Sequence, residues 1–482
     1  MKNTKKLTAL ILSLLMLSSV SCSENTADET SLPEQPSAES IPETIPEETG
    51  LTDGLGNANF DGYAFRIYAS SMYDKPCAHY ITYDEVTGDP VNDMLFESKC
   101  YIENRFNVGI SWQEIGYSFY ACDEAKTAIS GGIDAFDLFI GHDGGTVSMG
   151  SQGYALNLRD IPQFDFTKPW WPDNTVDALT IGDKMFAASS YLSYCGLHWT
   201  RVLTVNKDFA EEVQLEIPYD LVREGKWTLD ALEAIVDGVS IDIDGNGKIN
   251  NKDKIGLTSG NHTMYCMQEA CDMSFYTKDA EGYPQLNIDL ERAEKYVTLM
   301  RGLFFGKDYI HSGDFGVDVF KEGMALFAYT QVGDAYDTYR LSDVRYGFLP
   351  SPKLDEIQSE YINSCTDVPW MLPITLGDKQ IEMVGTIVEA MSCYNYKNVI
   401  PAYYEGAIKA RIADSPDDTE MLQLIADTRT INFAHTFGLE FSDIAKNLLA
   451  GRRETASEIA KSETAAASAI EVFNNTYRSL GN

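Results

Sequence analysis

The chain has 482 residues, 44% hydrophobic and 23% charged, with a formal net charge of −36. That length exceeds the needs of one small core and suits two lobes. So large a negative charge is repelled by phosphate backbones and anionic lipid, which excludes nucleic acid as a partner.

The first residues, MKNTKK, are cationic, and LTALILSLLML supplies an apolar run too short to span a bilayer. Small residues then lead to Cys22, so residues 1–22 read as an export signal. Ser21–Cys22 resembles the lipobox of bacterial lipoproteins, although Ser19 stands where Leu is usual. The resemblance implies a lipid on Cys22 as a membrane anchor. Residues 23–58 open with SENTADETSLPEQPSAESIPETIPEETG, which has four prolines and no Lys or Arg. Such a segment buries too little apolar surface to offset its chain entropy and is expected to be a disordered acidic tether. The remaining cysteines are widely spaced without a CxxC pair, so neither a zinc site nor a disulfide is assigned.

Beyond the tether, strand-like and helical stretches alternate. YAFRIYAS (63–70), FDLFIGHD (136–143), RVLTVNKDF (201–209) and MALFAYTQ (324–331) read as strands. Residues 91–108, 228–239, 290–305 and 379–394 carry helical patterns; Val91, Leu95, Ile102 and Phe106 share one face. The alternation predicts an α/β fold with largely parallel sheets. The 27 tyrosines suggest a surface that meets a ligand with rings and hydroxyls.

DIDGNGKINNKD, residues 242–253, has calcium-loop spacing. Asp242, Asp244 and Asn246 stand at positions one, three and five, and Gly247 at the sharp turn. Lys248 offers its carbonyl, Asn250 a direct or water-bridged oxygen, and Asp253 the closing carboxylate. An Asp at the last position resembles extracellular loops such as those of dockerins. A single unpaired loop predicts bound Ca2+ as a structural staple, not a sensor. A solvated turn is the plain alternative.

No GxSxG, HExxH, P-loop or dinucleotide fingerprint occurs, and the six histidines show no metal-ligand spacing. No catalytic residue is assigned, and an enzyme is not expected.

Several segments in order resemble the maltose-binding-like (family 1) extracellular solute-binding proteins of carbohydrate ABC transporters. They are FDLFIGHDGG, LTVNKDFAEEV, YDLVREGKWTLDAL, FKEGMALFAY, RYGFLPSPK and LPITLGDKQIEMVGTIVEAMS. The resemblance covers most of residues 60–440. It implies an α/β, two-lobe periplasmic-binding-protein-like fold of type II, with hinge-crossing strands and a ligand cleft between the lobes. Residues 59–195 and 366–415 would form the first lobe. Residues 196–365 and 416–482 would form the second, with the calcium-like loop inside it. The departures are that loop, an insertion around 158–200 and an extended C-terminal helical region.

Such a receptor would bind a carbohydrate, an oligosaccharide, and deliver it to ABC permease subunits as a monomer held to the membrane only by its lipid. A sugar needs aromatic faces beside fixed polar groups. On that chemistry Asp143 resembles the family's ligand-binding acid, with His142 beside it. Tyr73 and Asp74 follow the first strand, Trp199 and Gln331 sit near the crossing and a second-lobe strand end, and Asp367 and Trp370 flank the return. Trp170 and Trp171 read as a structural plug and Trp227 as core. A receptor for peptide or another polar solute, a secreted glycan-active enzyme and an adhesion module are the competing readings.

Overall fold

A computed structural model describes residues 51–72, 75–250, 252–260, 263–304, 309–311, 316–405, 415–439, 441 and 454–480. The expected signal peptide, Cys22, most of the tether, and Tyr73 and Asp74 lie outside the described residues. From Thr52 onward the chain forms one compact unit.

The first sheet is built on β1 (Tyr63–Met72), whose inward residues Phe65, Ile67 and Ala69 are fully buried. β2 (Val108–Tyr117) and β3 (Leu138–Ile140) pair with β1 in parallel, one on each side. The intervening helix α1 (Pro90–Phe106) starts where the Asp89 carboxylate accepts from the Val91 and Asn92 amides, with Pro90 in the first turn. It buries Val91, Leu95, Ile102 and Phe106, the face read from the sequence.

The second sheet has β4 (Arg201–Asn206), β5 (Ile255–Ser259), β6 (Tyr309–His311), β7 (Ala325–Gln331) and β8 (Tyr346–Leu349), in the order β8-β4-β7-β5-β6. β7, β5 and β6 run parallel, while β4 runs antiparallel to both of its neighbours. In the first sheet, β9 (Trp370–Met371) is likewise antiparallel to β3. β4 and β9 are the strands laid down as the chain enters each sheet from the other, so each crossing inserts one reversed strand. The crossings lie together: Thr200 bridges Cys365, and Asn363–Cys365 pairs in parallel with Arg429–Ile431.

The second core gathers Leu203, Val205, Trp227, Leu257, Met300 and Phe327. Met421, Ile459, Ala466 and Ile470 from the C-terminal region pack into it. The insertion plugs the first lobe as expected. Trp170 and Trp171 are buried, and their indole N–H groups donate, each at 2.9 Å, to the two carboxylate oxygens of buried Glu389. Glu389 lies on α2 (Asp378–Tyr394), the long helix after the return crossing.

Candidate functional site

Ligands of open α/β sheets bind outside the carboxyl ends of the strands. At that edge of the first sheet β2 ends at Tyr117, the chain turns at Ser118, and a helix spans Phe119–Ser130. Ser118 has φ +48°, a strained conformation for a residue with a side chain, and its amide donates to Ser71 O at 2.9 Å to hold the turn. The result is three rings in water: Tyr117 is 52%, Phe119 54% and Tyr120 77% exposed. The Phe119 ring centroid lies 4.0 Å from that of His142, which places the rings beside the end of β3. Sequence reasoning missed this group. Three aromatics within GYSFYACD, at a strand-to-helix junction, were the available signal.

His142 and Asp143 are at this edge but not as the ending of a strand. β3 stops at Ile140, His142 is the helix N-cap, and Asp143 begins the helix Asp143–Ser151. Asp143 is buried and accepts from the Gly144 amide at 2.7 Å. Burial pushes its carboxyl up, but His142, 2.9 Å away, and the Gly144 amide outweigh burial and leave it below the ordinary range. The carboxylate is therefore anchored in its own turn, and His142 is the more accessible of the two.

A second cluster closes the seam between the lobes. Tyr80, Tyr194, His198, Tyr336 and Tyr403 are buried against one another, with Tyr336 and Tyr403 stacked at 5.6 Å. Trp199, partly buried, donates from Nε1 to the Tyr80 hydroxyl at 3.0 Å, so it belongs to this seam. His198 places Nδ1 3.2 Å from the Tyr403 hydroxyl and Nε2 3.2 Å from an Asp337 oxygen. Lys75 donates to the Tyr194 hydroxyl at 3.0 Å and lies 4.2 Å from the centre of the Tyr80 ring. Apart from Trp199, these residues escaped the sequence reading, because the contacts that assemble them, Tyr80 with Tyr194 and His198 with Tyr403, join residues distant in the chain.

Trp370 requires a correction. It has no exposed surface, its ring packs against Phe164 and Trp171, and its Nε1 donates to Ser190 Oγ at 3.3 Å. Pairing with Ile140 pulls it into the first core, so it has no free face for a solute. Asp367 is also corrected. It is buried, accepts from the Ser189 hydroxyl and the Val368 amide, and pins the return crossing. Gln331 caps the helix Val332–Asp337 at the end of β7, and its Oε1 is buried without a partner among the described residues.

The calcium-like loop joins the helix Leu229–Val236 to β5 and is closed at its base by paired hydrogen bonds between Ile241 and Lys254. Carboxylate oxygens of Asp242, Asp244 and Asp253 lie within 4.8 Å of one another. Gly245 and Gly247 have φ +71° and +77°, the left-handed geometry that lets the backbone wrap round a centre. The Gly247 amide, followed by those of Gly245 and Asn246, holds the Asp242 carboxyl below its ordinary range. Buried Asp253 accepts from the Ile243 and Asn250 amides. The donor set is all oxygen and fits a hard cation.

No protein-family model and no curated sequence matches the chain. Solved structures do. The maltose/maltodextrin-binding domain MalE from Bdellovibrio bacteriovorus, bound to maltotriose, is 14% identical with a TM-score of 0.52, over 85% of this chain and 100% of that one. An ABC substrate-binding protein from Listeria monocytogenes in complex with cycloalternan is 14% identical at 0.53, over 85% and 100%. Maltose-bound MalE3 of T. maritima is 13% identical at 0.53, over 86% and 100%. At such identities the likeness is one of fold. This chain has the two-lobe type II fold of these solute-binding proteins.

Proposed function

We propose that this chain is a receptor on the extracellular face of the cell membrane, anchored through a lipid on Cys22. It captures a carbohydrate, an oligosaccharide, and hands it intact to the permease subunits of an ABC importer. The observation that carries this reading is the exposed group Tyr117, Phe119 and Tyr120 beside His142, at the strand ends of a two-lobe fold. Rings left in water at a strand edge suit the C–H faces of a pyranose, and neighbouring polar groups suit its hydroxyl rim. Proteins of the same fold carry maltotriose, cycloalternan and maltose.

The rest of the reading follows from the leader and the loop. Among the described residues no helix is long and apolar enough to cross a membrane. Ca2+ in the 242–253 loop would be held by Asp242, Asp244, Asn246, Lys248 O, Asn250 and Asp253. It would fix the connection into β5 and take no part in capture.

Calorimetric titration against linear and cyclic gluco-oligosaccharides, with mass analysis of the recovered sugar, tests the proposal. Saturable 1:1 binding with the sugar returned whole is expected. Cleaved sugar, or no binding across the panel, would overturn it. Loss of membrane attachment in Cys22→Ser checks the anchor.

A further inference from the structure

We propose that the protein holds a small anion of the halide class on Arg429, at the strand crossing. Arg429 begins the strand Arg429–Ile431, which pairs with Asn363–Cys365. It is 4% exposed, so a guanidinium that cannot shed its proton is enclosed there. One nitrogen is committed: Nη1 donates to the Tyr191 hydroxyl at 2.6 Å and to Ala426 O at 3.1 Å. The group also lies over the Tyr191 ring, 4.5 Å from its centre. Its Nε is buried and has no hydrogen-bond partner among the described residues.

No carboxylate completes this cation. Partly buried Arg66, Arg105 and Arg292 each have an aspartate oxygen within 3.7 Å, whereas no acid pairs with Arg429 among the described residues. Asp367 follows Cys365 by two residues, but its oxygens serve the Ser189 hydroxyl and the Val368 amide. Burial also pushes its carboxyl above the ordinary range, which weakens it as a counter-charge. The titratable groups acting on Arg429 are instead Tyr191, Cys365 and Tyr404. The Tyr404 hydroxyl is a second buried group without a partner among the described residues. Burial lifts it well above the ordinary phenol range and keeps it a donor, while Arg429 pulls the other way from within electrostatic reach. A buried cation and a buried O–H, both short of an acceptor, call for one anion. Water would answer the hydrogen bonds but not the charge. The enclosure favours a monatomic ion, which accepts N–H and O–H from any direction and needs no intact fork of donors.

Chloride is the probe, and gluconate, too large for so enclosed a place, is its control at equal sodium concentration. An ion that binds only the native state raises its stability by mass action. The melting temperature of the full chain should therefore rise saturably as chloride replaces gluconate. Arg429→Gln removes the charge and should lose that rise. Tyr404→Phe keeps the ring and should weaken chloride about tenfold or more, the scale of one hydrogen bond to a charged group. In crystals grown from sodium bromide, an anomalous peak should stand within hydrogen-bond reach of Arg429 Nε and the Tyr404 hydroxyl. Equal melting temperatures in chloride and gluconate, a chloride effect that persists in folded Arg429→Gln, full chloride affinity in Tyr404→Phe, or no bromide at Arg429 would each overturn the site. Should Arg429→Gln not fold, the Tyr404→Phe titration and the bromide peak decide the matter. Because chloride is read without any sugar, these outcomes stand apart from the receptor reading.

Discussion

The Tyr336 hydroxyl donates to the Asp89 carboxylate across the seam between the lobes. Asp89 also caps α1 through the Val91 and Asn92 amides, so the seam closes onto a group already fixed by local structure. Burial, reinforced by Asp89, lifts the Tyr336 hydroxyl well above the ordinary phenol range and keeps it a donor. Arg340 lies over the Tyr336 ring at 4.2 Å and 3.6 Å from the Asp89 carboxylate. Tyr336→Phe removes the hydrogen bond and keeps the ring. Folding stability should fall by only about 0.5–1.5 kcal/mol. The lobes should spend more time apart, seen as a larger radius of gyration in solution scattering. An unchanged scattering profile would show that the contact does not hold the seam.

The exposed rings give a cleaner test of the solute site than any buried tryptophan. Tyr120 is 77% exposed, so Tyr120→Ala removes little packing and should leave the melting temperature nearly unchanged. If the ring stacks on sugar, affinity should drop by about 1–3 kcal/mol in calorimetric titration. Full affinity in both Tyr120→Ala and Phe119→Ala would remove these residues from the site.

How much of this was legible in the sequence follows from the range of the interactions. Residues 63–70 and the α1 face were readable because burial of alternate or fourth residues is written locally, and 324–331 because a short apolar run buried throughout reads as an inner strand. The stretch 136–143 misled at its polar end: three apolar residues make β3, while Asp143 starts a helix that no local apolar pattern announces. Trp370 looked like an anchor because large aromatics near a crossing suit a ligand. Its partners Phe164, Trp171 and Ser190 are about 180 or more residues away and invisible to any window. The seam contacts of Tyr80 with Tyr194 and of His198 with Tyr403 were hidden for the same reason. Since Trp370 is core, Trp370→Ala should cost about 3–5 kcal/mol in urea unfolding. A loss of sugar affinity at undiminished stability would reverse that assignment.

The loop at 242–253 separates metal binding from folding by choice of residue. Asp244 is exposed, and its Oδ1 accepts from the Asn246 amide at 3.0 Å, which an Asn side chain also does. Asp244→Asn should therefore keep the melting temperature measured in chelator and lose the rise on adding Ca2+. Asp253 is fully buried and accepts from the Ile243 and Asn250 amides and the Asn250 side chain. Asp253→Asn turns an amide N–H2 toward donors and should destabilise the protein even in chelator, by about 1–3 kcal/mol. Thermal melts with and without Ca2+ read both. Sugar affinity that vanished on chelation of folded protein would make the loop part of the solute site instead of a staple.

Glu389 is the carboxyl whose titration should be visible in stability. Burial raises it to about 7, against which the Trp170 and Trp171 indole N–H groups pull down. Since its folded value lies above that of the unfolded chain, the native state holds the extra proton between the ordinary glutamate range and about 7. Its contribution is thus fully present at low pH and is lost as pH rises through about 7. Glu389→Gln offers one acceptor to two buried donors and leaves one indole unpaired, a cost of about 1–3 kcal/mol. The variant has no proton to lose at this position. The stability lead of the natural protein over Glu389→Gln should therefore shrink in urea unfolding from pH 5 through 6 to 7 and level off by pH 8. A lead that stays constant over that range would mean that Glu389 titrates at its ordinary value and that the tryptophan pair rests on a carboxylate at every pH tested.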